Sequence, residues 1–258
     1  ELFTPADEEY IRALAGSGVP VALTISPESG NLEVRRRQGR GYTNEALFKT
    51  VEACHKHGIL ISLFFMVALA GETRQTIHET WSLWEKIYLM DHKARLKGLF
   101  KDEDRFPRMG PTIGPMVLLD PGSPAFDYPE KYGYRIVFRS LGEQVEAFLK
   151  PSWHQWINYE TGEMSKAEIA RFILDAIEHA INLREKYGIY GKLEAVLERA
   201  CIKAEKFIVG EVDRLSKLTS VEERLRRLSE LKDALENFVR VRFKMQPDPY
   251  GYRRRLRE

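Results

Sequence analysis

Three short apolar runs, separated by segments with helical periodicity, limit the folds that this chain can adopt. The runs cover residues 19–25, 59–67 and 112–118, and residues 44–57 and 73–90 have the helical pattern. Apolar runs without alternation are typical of strands buried on both faces, as in parallel sheets covered by helices. The pattern predicts an α/β fold with a parallel sheet or barrel. Since only three strands are visible, the first would lie at an open apolar edge.

The loops that follow these runs are the places where a site is expected, because ligands of parallel α/β folds bind at the carboxyl ends of strands. The first loop reads Thr-Ile-Ser-Pro-Glu-Ser-Gly over residues 24–30, and leads through a basic segment at 36–40 to Gly-Tyr-Thr at 41–43. The second reads Ala-Leu-Ala-Gly-Glu-Thr over residues 68–73, and the third contains Pro-Gly-Ser-Pro at 121–124.

These segments resemble, in order and spacing, the ends of the fourth, fifth and sixth strands of the radical S-adenosylmethionine (radical SAM) partial barrel. In that family the fourth strand commonly ends in Ser-x-Glu-Ser, followed by a basic loop and Gly-x-Thr. The fifth commonly ends in Gly-Leu-Pro-Gly-Glu-Thr and the sixth in a Pro-Gly-Thr-Pro turn. The resemblance covers about residues 1–165. It is strongest to radical SAM proteins that carry a cobalamin-binding domain ahead of the barrel.

The resemblance implies a cofactor site built by the first two loops. Glu28 is the expected ligand for the amino group or ribose of SAM, because a carboxylate accepts charge-assisted hydrogen bonds from an ammonium; the alternative is a loop cap. Arg36, Arg37 and Arg40 either hold a carboxylate or phosphate or lie in a solvated loop. Glu72 is expected to be structural, in the first turn of a helix. The expected cofactor-binding residues are Ser26, Glu28, Ser29, Arg40 and Gly71.

The ligands of the family's iron–sulfur cluster are missing from the sequence. The family holds a [4Fe-4S] cluster with Cys-x3-Cys-x2-Cys, whereas this sequence has two cysteines, Cys54 and Cys201, far apart. Ala68 and Ala70 also replace the usual Gly and Pro of the fifth-strand motif. We therefore expect the cysteines, the first three strands and any cobalamin domain to lie upstream in a longer parent protein. The parent is expected to use SAM and [4Fe-4S], with cobalamin left open. This chain alone is expected to be inactive and to bind no cofactor or metal.

The C-terminal half of the chain is predicted to be helical. Residues 165–187 form one predicted helix, and 193–218 and 221–243 form an antiparallel helical hairpin. The expected fold is thus the C-terminal half of a (β/α)6 partial TIM-like barrel, followed by a mainly helical region. The expected divisions are the half barrel at 1–135, a helical segment packing on it at 136–191, and the hairpin with a basic tail at 192–258.

The hairpin supports an alternative function as a non-catalytic module for protein interaction or assembly. Its predicted apolar seams, if exposed on a monomer, would favour dimers. They consist of Leu193, Leu197, Ala200, Ala204, Phe207 and Leu215 on one helix, and Val221, Leu225, Leu228, Leu235, Phe238 and Arg242 on the other. A complete hydrolase or transferase is less consistent with the sequence, because no nucleophile and base stand together at the predicted strand ends.

Charge and hydropathy narrow the expected partners and location. The sequence has 40 Lys and Arg against 38 Asp and Glu, which gives no case for nucleic acid or an anionic membrane. No apolar run approaches the roughly 20 residues that span a bilayer, and the two distant cysteines favour the cytoplasm. The expected partners are a substrate, either a small molecule or unknown, and the upstream part of the parent chain. The edge of the first strand is expected to be covered by a second copy of the chain or by a helix.

Overall fold

The computed structural model describes most of the chain as two compact units, Glu1–Gly191 and Lys192–Glu258. The described backbone covers residues 1–99, 111–115 and 118–245, and the side chains of 114–115 and 238–245 are not described. Within these residues, no helix combines the length and the apolar character needed to cross a membrane.

The first unit contains a parallel sheet of three strands, β1 (Ala22–Glu28), β2 (Leu60–Val67) and β3 (Pro111–Pro115), in the order β1-β2-β3. The predicted mixed α/β fold with a parallel sheet is confirmed for the described residues. Residues 116 and 117 of the third predicted run lie outside the described residues.

The first strand begins three residues later than its apolar run and continues through Pro27. The register with β2 is regular up to Ile25 and shifts before Glu28. Proline has no N–H to donate to the ladder, so its presence in the strand coincides with this irregularity. The shift matters for the site because it ends at Glu28, whose φ of 65° lies in the left-handed region.

Helices cover the sheet from the segments between the strands. One face carries Leu23, Ile25, Leu63 and Phe65, all buried, and the ring of Phe65 meets Trp84 edge-on at 5.6 Å. The helices are α1 (Glu8–Ala15), α2 (Leu32–Arg37), α3 (Asn44–Lys56) and α4 (Thr76–Leu96).

Two predictions about the helices of this part were wrong. The basic segment was predicted as a loop, but α2 forms there because the side chain of Asn31 accepts hydrogen bonds from the N–H groups of Glu33 and Val34. The helix predicted at residues 73–90 runs instead from Thr76 to Leu96. Residues 100–110 lie outside the described part of the chain.

The segment between β3 and the second unit contains short elements that the sequence did not predict, and one long helix that it did. The long helix, α8 (Lys166–Lys186), confirms the helix predicted at residues 165–187 and begins with a capping box of Ser165 and Glu168. Two short strands, β4 (Tyr134–Ile136) and β5 (Tyr159–Thr161), pair antiparallel with Tyr134 opposite Thr161, and we call this pair the ribbon. The elements are α5 (Pro124–Asp127), α6 (Pro129–Tyr132), β4 (Tyr134–Ile136), α7 (Leu141–Phe148), a 3-10 helix (Trp153–Trp156), β5 (Tyr159–Thr161) and α8 (Lys166–Lys186).

Strand β1 lies at one edge of the three-stranded sheet, as the three apolar runs suggested, and β3 lies at the other. Leu2 forms an isolated parallel bridge with Ile25, and its N–H donates to the carbonyl of Thr24 at 2.7 Å. Among the described residues, no further strand pairs with this edge. Leu2 therefore lies beside β1, where a further parallel strand would pair with it.

The second unit contains α9 (Lys192–Ser216) and α10 (Val221–Met245), which contact each other. The predicted seam of α9 was wrong for most of its length, because Leu193 and Phe207 are 63% and 62% exposed. The helix carries apolar side chains on two faces, and periodicity alone does not tell which face is buried. The buried side chains of α9 are Ala195, Cys201, Ile202, Ile208, Val209, Val212 and Leu215.

Candidate functional site

The carboxyl ends of β1 and β2 lie side by side, since the two strands are parallel and Glu28 is opposite Phe65. Glu28 and Ala68 stand at these ends with φ angles of 65° and 63°. A residue with a Cβ in this left-handed region costs roughly 1–2 kcal/mol, and such strain concentrates at functional sites. Two strained residues on neighbouring strand ends identify this edge of the sheet as the candidate site.

Glu28 presents a buried carboxylate at the end of β1. Its Oε1 accepts a hydrogen bond from Nη2 of Arg40 at 3.2 Å, and its Oε2 is buried without a hydrogen-bond partner among the described residues. Burial raises the pKa of Glu28, while the charge and hydrogen bond of Arg40 act in the opposite direction. One carboxylate oxygen is therefore available to a donor that the described protein atoms do not supply.

Arg40 and Ser26 fix the position of the Glu28 carboxylate. Nε of Arg40 donates to the carbonyl of Ser26 at 3.0 Å, so the guanidinium bridges Ser26 and Glu28. The hydroxyl of Ser26 donates to Oε1 of Glu1 at 3.0 Å. Arg40 and Ser26 are both among the expected binding residues. Arg40 orients Glu28, and Ser26 contributes the backbone carbonyl that Arg40 binds.

Ser29 and Gly30 attach the first loop to α4. The Ser29 side chain is fully buried and its Oγ lies 3.2 Å from Oγ1 of Thr80. The N–H of Gly30 donates to the same Thr80 oxygen at 2.8 Å. A Cβ on Gly30 would lie 2.4 Å from the Cα of Thr80, so the loop backbone touches the helix backbone directly. Ser29, an expected binding residue, is placed here as an anchor of the loop.

Arg35 is a fully buried cation that the sequence did not single out. Its Nε and Nη2 both donate to the carbonyl of Ser29, at 2.9 and 2.7 Å, and its Nη1 donates to the carbonyl of Tyr42 at 3.0 Å. Nη2 also donates to Oδ1 of Asn44. Burial lowers the pKa of this guanidinium. Arg35 therefore ties together the two ends of the segment between β1 and α3.

Glu72 closes the turn after β2 with a fully buried carboxylate. Its Oε2 accepts a hydrogen bond from the N–H of Ala68 at 2.7 Å, and its Oε1 is buried without a hydrogen-bond partner among the described atoms. Burial raises the pKa of Glu72 to about 7, while hydrogen bonds from Ala68, Leu69 and Ser29 act in the opposite direction. Its predicted place in a first helical turn was wrong, because α4 begins only at Thr76.

Gly71 occupies the tip of the same turn, with a φ of 85°. Its N–H donates to Oε2 of Glu163 at 3.0 Å. The guanidinium of Arg37 lies against it, since a Cβ on Gly71 would be 2.7 Å from Nη1 of Arg37. The sequence motif identified Gly71, but its neighbours Arg37 and Glu163 carry no sequence signal that links them to it.

Ala68 stands where the family commonly has Gly, and its left-handed φ gives a testable consequence. We expect Ala68→Gly to relieve the backbone strain and Ala70→Gly to relieve none, while both remove a fully buried methyl group. Chemical denaturation should find Ala68→Gly more stable than Ala70→Gly by about 1–2 kcal/mol. Equal stabilities of the two variants would contradict the strain at residue 68.

The two cysteines lie in helices, Cys54 in α3 of the first unit and Cys201 in α9 of the second. Cys54 is buried in α3, where burial raises the pKa of its thiol to about 12, and Cys201 is buried in α9. In the part of the chain that the structure describes, no three His, Cys, Asp or Glu side chains are grouped to hold a metal ion. Since a [4Fe-4S] cluster needs several thiolate ligands, the residues present do not fit it.

Comparison with known families agrees with the resemblance of the sequence motifs. Residues 2–83 match the family model of the radical SAM superfamily. The matched segment contains β1, β2 and both loops of the candidate site. The resemblance to radical SAM proteins is thereby confirmed for this part of the chain.

Comparison with solved structures gives a more distant likeness. The fold is similar to the apo, selenomethionine-labelled structure of the cobalamin-dependent S-adenosylmethionine radical enzyme OxsB, with a TM-score of 0.41 and 15% sequence identity. The aligned part covers 90% of this chain and 38% of that enzyme, so the chain spans less than half of its length. A likeness of this degree assigns no activity or cofactor to the chain. No curated protein matches it in sequence.

Proposed function

We propose that the chain supplies the C-terminal half of the partial barrel of a radical SAM enzyme, with Glu28 as a ligand of SAM, because residues 2–83 match the family model of the radical SAM superfamily. The observation that carries this proposal is the buried Oε2 of Glu28, which has no partner among the described residues. A buried polar atom without a partner costs about 1–3 kcal/mol. An ammonium or hydroxyl group of a bound ligand would remove that cost.

The proposed site residues have different tasks. Glu28 would accept hydrogen bonds from the amino group or ribose of SAM, and Arg40 keeps its carboxylate oriented. Ser26 and Ser29 fix the backbone on either side of Glu28, and Gly71 supplies the neighbouring turn. Bound SAM supplies a sulfonium carbon–sulfur bond, which radical SAM enzymes cleave reductively.

An upstream segment of a longer parent completes the proposed enzyme. It would contribute the cluster cysteines and a strand parallel to β1, in the direction already taken by Leu2 beside Ile25. We propose that the parent is of the cobalamin-dependent type and cytoplasmic, and that this chain alone is inactive. The proposed divisions are the half barrel at 1–135, the segment packing on it at 136–191 and the hairpin with its tail at 192–258.

Titration of the isotope-labelled chain with SAM, followed by NMR, tests the proposed site. We expect the amide signals of Glu28, Ser29 and Gly71 to shift, with weak affinity because the cluster is missing. The Glu28→Gln variant should bind at least tenfold more weakly. Glu33→Gln is the matched control, because Glu33 pairs with Arg36 on the exposed face of α2. If SAM leaves the three amides unmoved, the proposed role of Glu28 is wrong.

Exposed apolar side chains of the second unit favour the alternative function, an assembly module. They are between 54% and 63% exposed, and exposed apolar surface that forms a patch is typical of protein–protein contact sites. Sedimentation at micromolar concentration distinguishes the two functions, since an assembly module would associate and Phe207→Ser would weaken that association. The exposed residues are Leu193, Val196, Phe207, Val221 and Leu225.

A further inference from the structure

The ribbon of β4 and β5 brings residues from a distant part of the chain to the turns that follow β2 and β3. Glu163, just after β5, accepts the N–H of Gly71 through its Oε2 at 3.0 Å. Asn158, just before β5, binds Leu119 twice. Its Oδ1 accepts the N–H of Leu119 at 2.8 Å, and its Nδ2 donates to the carbonyl at 2.9 Å. Two of the three strand-end turns are thus held from one side.

Tyr134, the first residue of the ribbon, connects the turn after β2 with the segment after β1. Its side chain is buried, with 4% exposure, and its hydroxyl oxygen accepts the N–H of Ala70 at 3.3 Å. The same oxygen accepts Nε2 of Gln38 at 3.4 Å. The ring is fixed edge-on against Tyr159, with centroids 5.4 Å apart. The Tyr134 hydroxyl therefore hydrogen-bonds to both segments, which also meet where the guanidinium of Arg37 lies against Gly71.

The surroundings of Tyr134 leave little freedom for this arrangement. At Gly133 the backbone has a φ of 81°, and a Cβ there would lie 3.0 Å from the Cβ of Ala70. Gln38 caps α2 and stands two residues before Arg40, which holds Glu28. Ala70 directly precedes Gly71. A shift of the Tyr134 hydroxyl would consequently be transmitted to both loops of the candidate site.

We propose that Tyr134 is a positioning residue, whose hydroxyl fixes the mutual placement of the Glu28–Arg40 loop and the Ala68–Gly71 turn. The expected effect of Tyr134 on SAM binding rests on the proposed function, whereas the coupling of the two loops does not. Removing the hydroxyl leaves the N–H of Ala70 buried without its acceptor, so the turn gains freedom to open. Because Gln38, at the end of α2, loses the same acceptor, α2 is expected to open more often as well.

Hydrogen exchange of the Tyr134→Phe variant tests the coupling directly. We expect the amides of Ala70 and Gly71, and those of α2, to exchange about tenfold faster than in the unaltered chain. Tyr88→Phe is the matched control, because Tyr88 is also a buried tyrosine, with 1% exposure, whose hydroxyl donates to the carbonyl of Pro111. It should leave those amides unchanged.

A second variant separates positioning from a local structural effect. Gln38→Ala removes the other partner of the Tyr134 hydroxyl without touching the turn after β2. If Tyr134 couples the two loops, this variant accelerates exchange at Ala70 and Gly71 as well. The proposal is overturned if those amides remain as protected as in the unaltered chain, or if Tyr134→Phe and Tyr88→Phe accelerate exchange equally throughout the first unit.

The ligand arm of the experiment distinguishes this proposal from the proposed function. In the NMR titration, Tyr134→Phe should weaken SAM binding by about tenfold while Tyr88→Phe leaves it unchanged. Loosened loops together with unaltered SAM affinity would overturn the positioning role. Loosened loops in a chain that never binds SAM would overturn the function of Glu28 and support the coupling by Tyr134.

Discussion

Replacing Gly30 with alanine is expected to destabilise the first unit by about 3 kcal/mol or more, since the added methyl group meets helix backbone. The Cβ would lie 2.4 Å from the Cα of Thr80, 2.7 Å from its N and 2.8 Å from the carbonyl oxygen of Glu79. These atoms belong to α4, which cannot retreat as a flexible side chain would. The clash also breaks the hydrogen bond from the Gly30 N–H to Thr80.

Gly41 provides the matched control for this substitution. It lies in the same loop region, an added Cβ would meet nothing within 4 Å, and its φ is outside the left-handed region. We expect Gly41→Ala to change stability by no more than about 0.5 kcal/mol. Urea denaturation followed by tryptophan fluorescence is suitable, because Trp81 and Trp84 follow Thr80 in α4. A Gly30→Ala protein as stable as Gly41→Ala would show that the loop and helix are further apart than described.

Replacing Glu72 with glutamine is expected to remove a pH dependence of stability that the buried carboxyl creates. The pKa of Glu72 is raised by burial to about 7 from a usual 4.5. Between these values the folded chain holds a proton at Glu72 that the unfolded chain has released. Stability from this group is therefore highest below pH 4.5, falls as the pH rises towards 7, and stays low above it. The whole loss amounts to about 3 kcal/mol.

Denaturation of both proteins at several pH values isolates this effect. We expect the stability of Glu72→Gln relative to the unaltered chain to increase by about 2–3 kcal/mol between pH 4.5 and 8. Contributions from other carboxyl groups are common to both proteins and cancel in the difference. Glu52→Gln, an exposed position on α3, should show no such increase. A difference that stays constant over the pH range would mean that the Glu72 carboxyl is not held in a buried, desolvated state.

The strands were predictable to the extent that burial makes a strand apolar along its whole length. Residues 59–67 correspond closely to β2, but the run at 19–25 begins and ends three residues before β1 does. Val19 is apolar yet exposed, and a hydrophobic pattern does not separate such a residue from a buried one. The strands of the ribbon have three residues each, which is too short for any periodicity to be visible.

The candidate site was predictable only where one local motif carries its residues. Glu28 and Gly71 follow directly from the motifs at the two strand ends, and the family match includes them. The burial of Arg35 depends on the short helix α2, whose formation rests on a single cap at Asn31. Tyr134 reaches the site by folding of a distant segment, and no spacing in one sequence reports such a contact.

The distance along the chain between the turn after β2 and its partners has a consequence for synthesis on the ribosome. Ala70 and Tyr134 are separated by 64 positions, and Gly71 and Glu163 by 92. At about 5–20 residues per second, Glu163 is made roughly 5–20 s after Gly71. Strands β1 and β2 and their helices can pair locally within that interval, since contacts between nearby residues form first. In a nascent chain arrested before residue 134, β1 and β2 can therefore be paired while the turn after β2 still lacks its hydrogen bond to Tyr134.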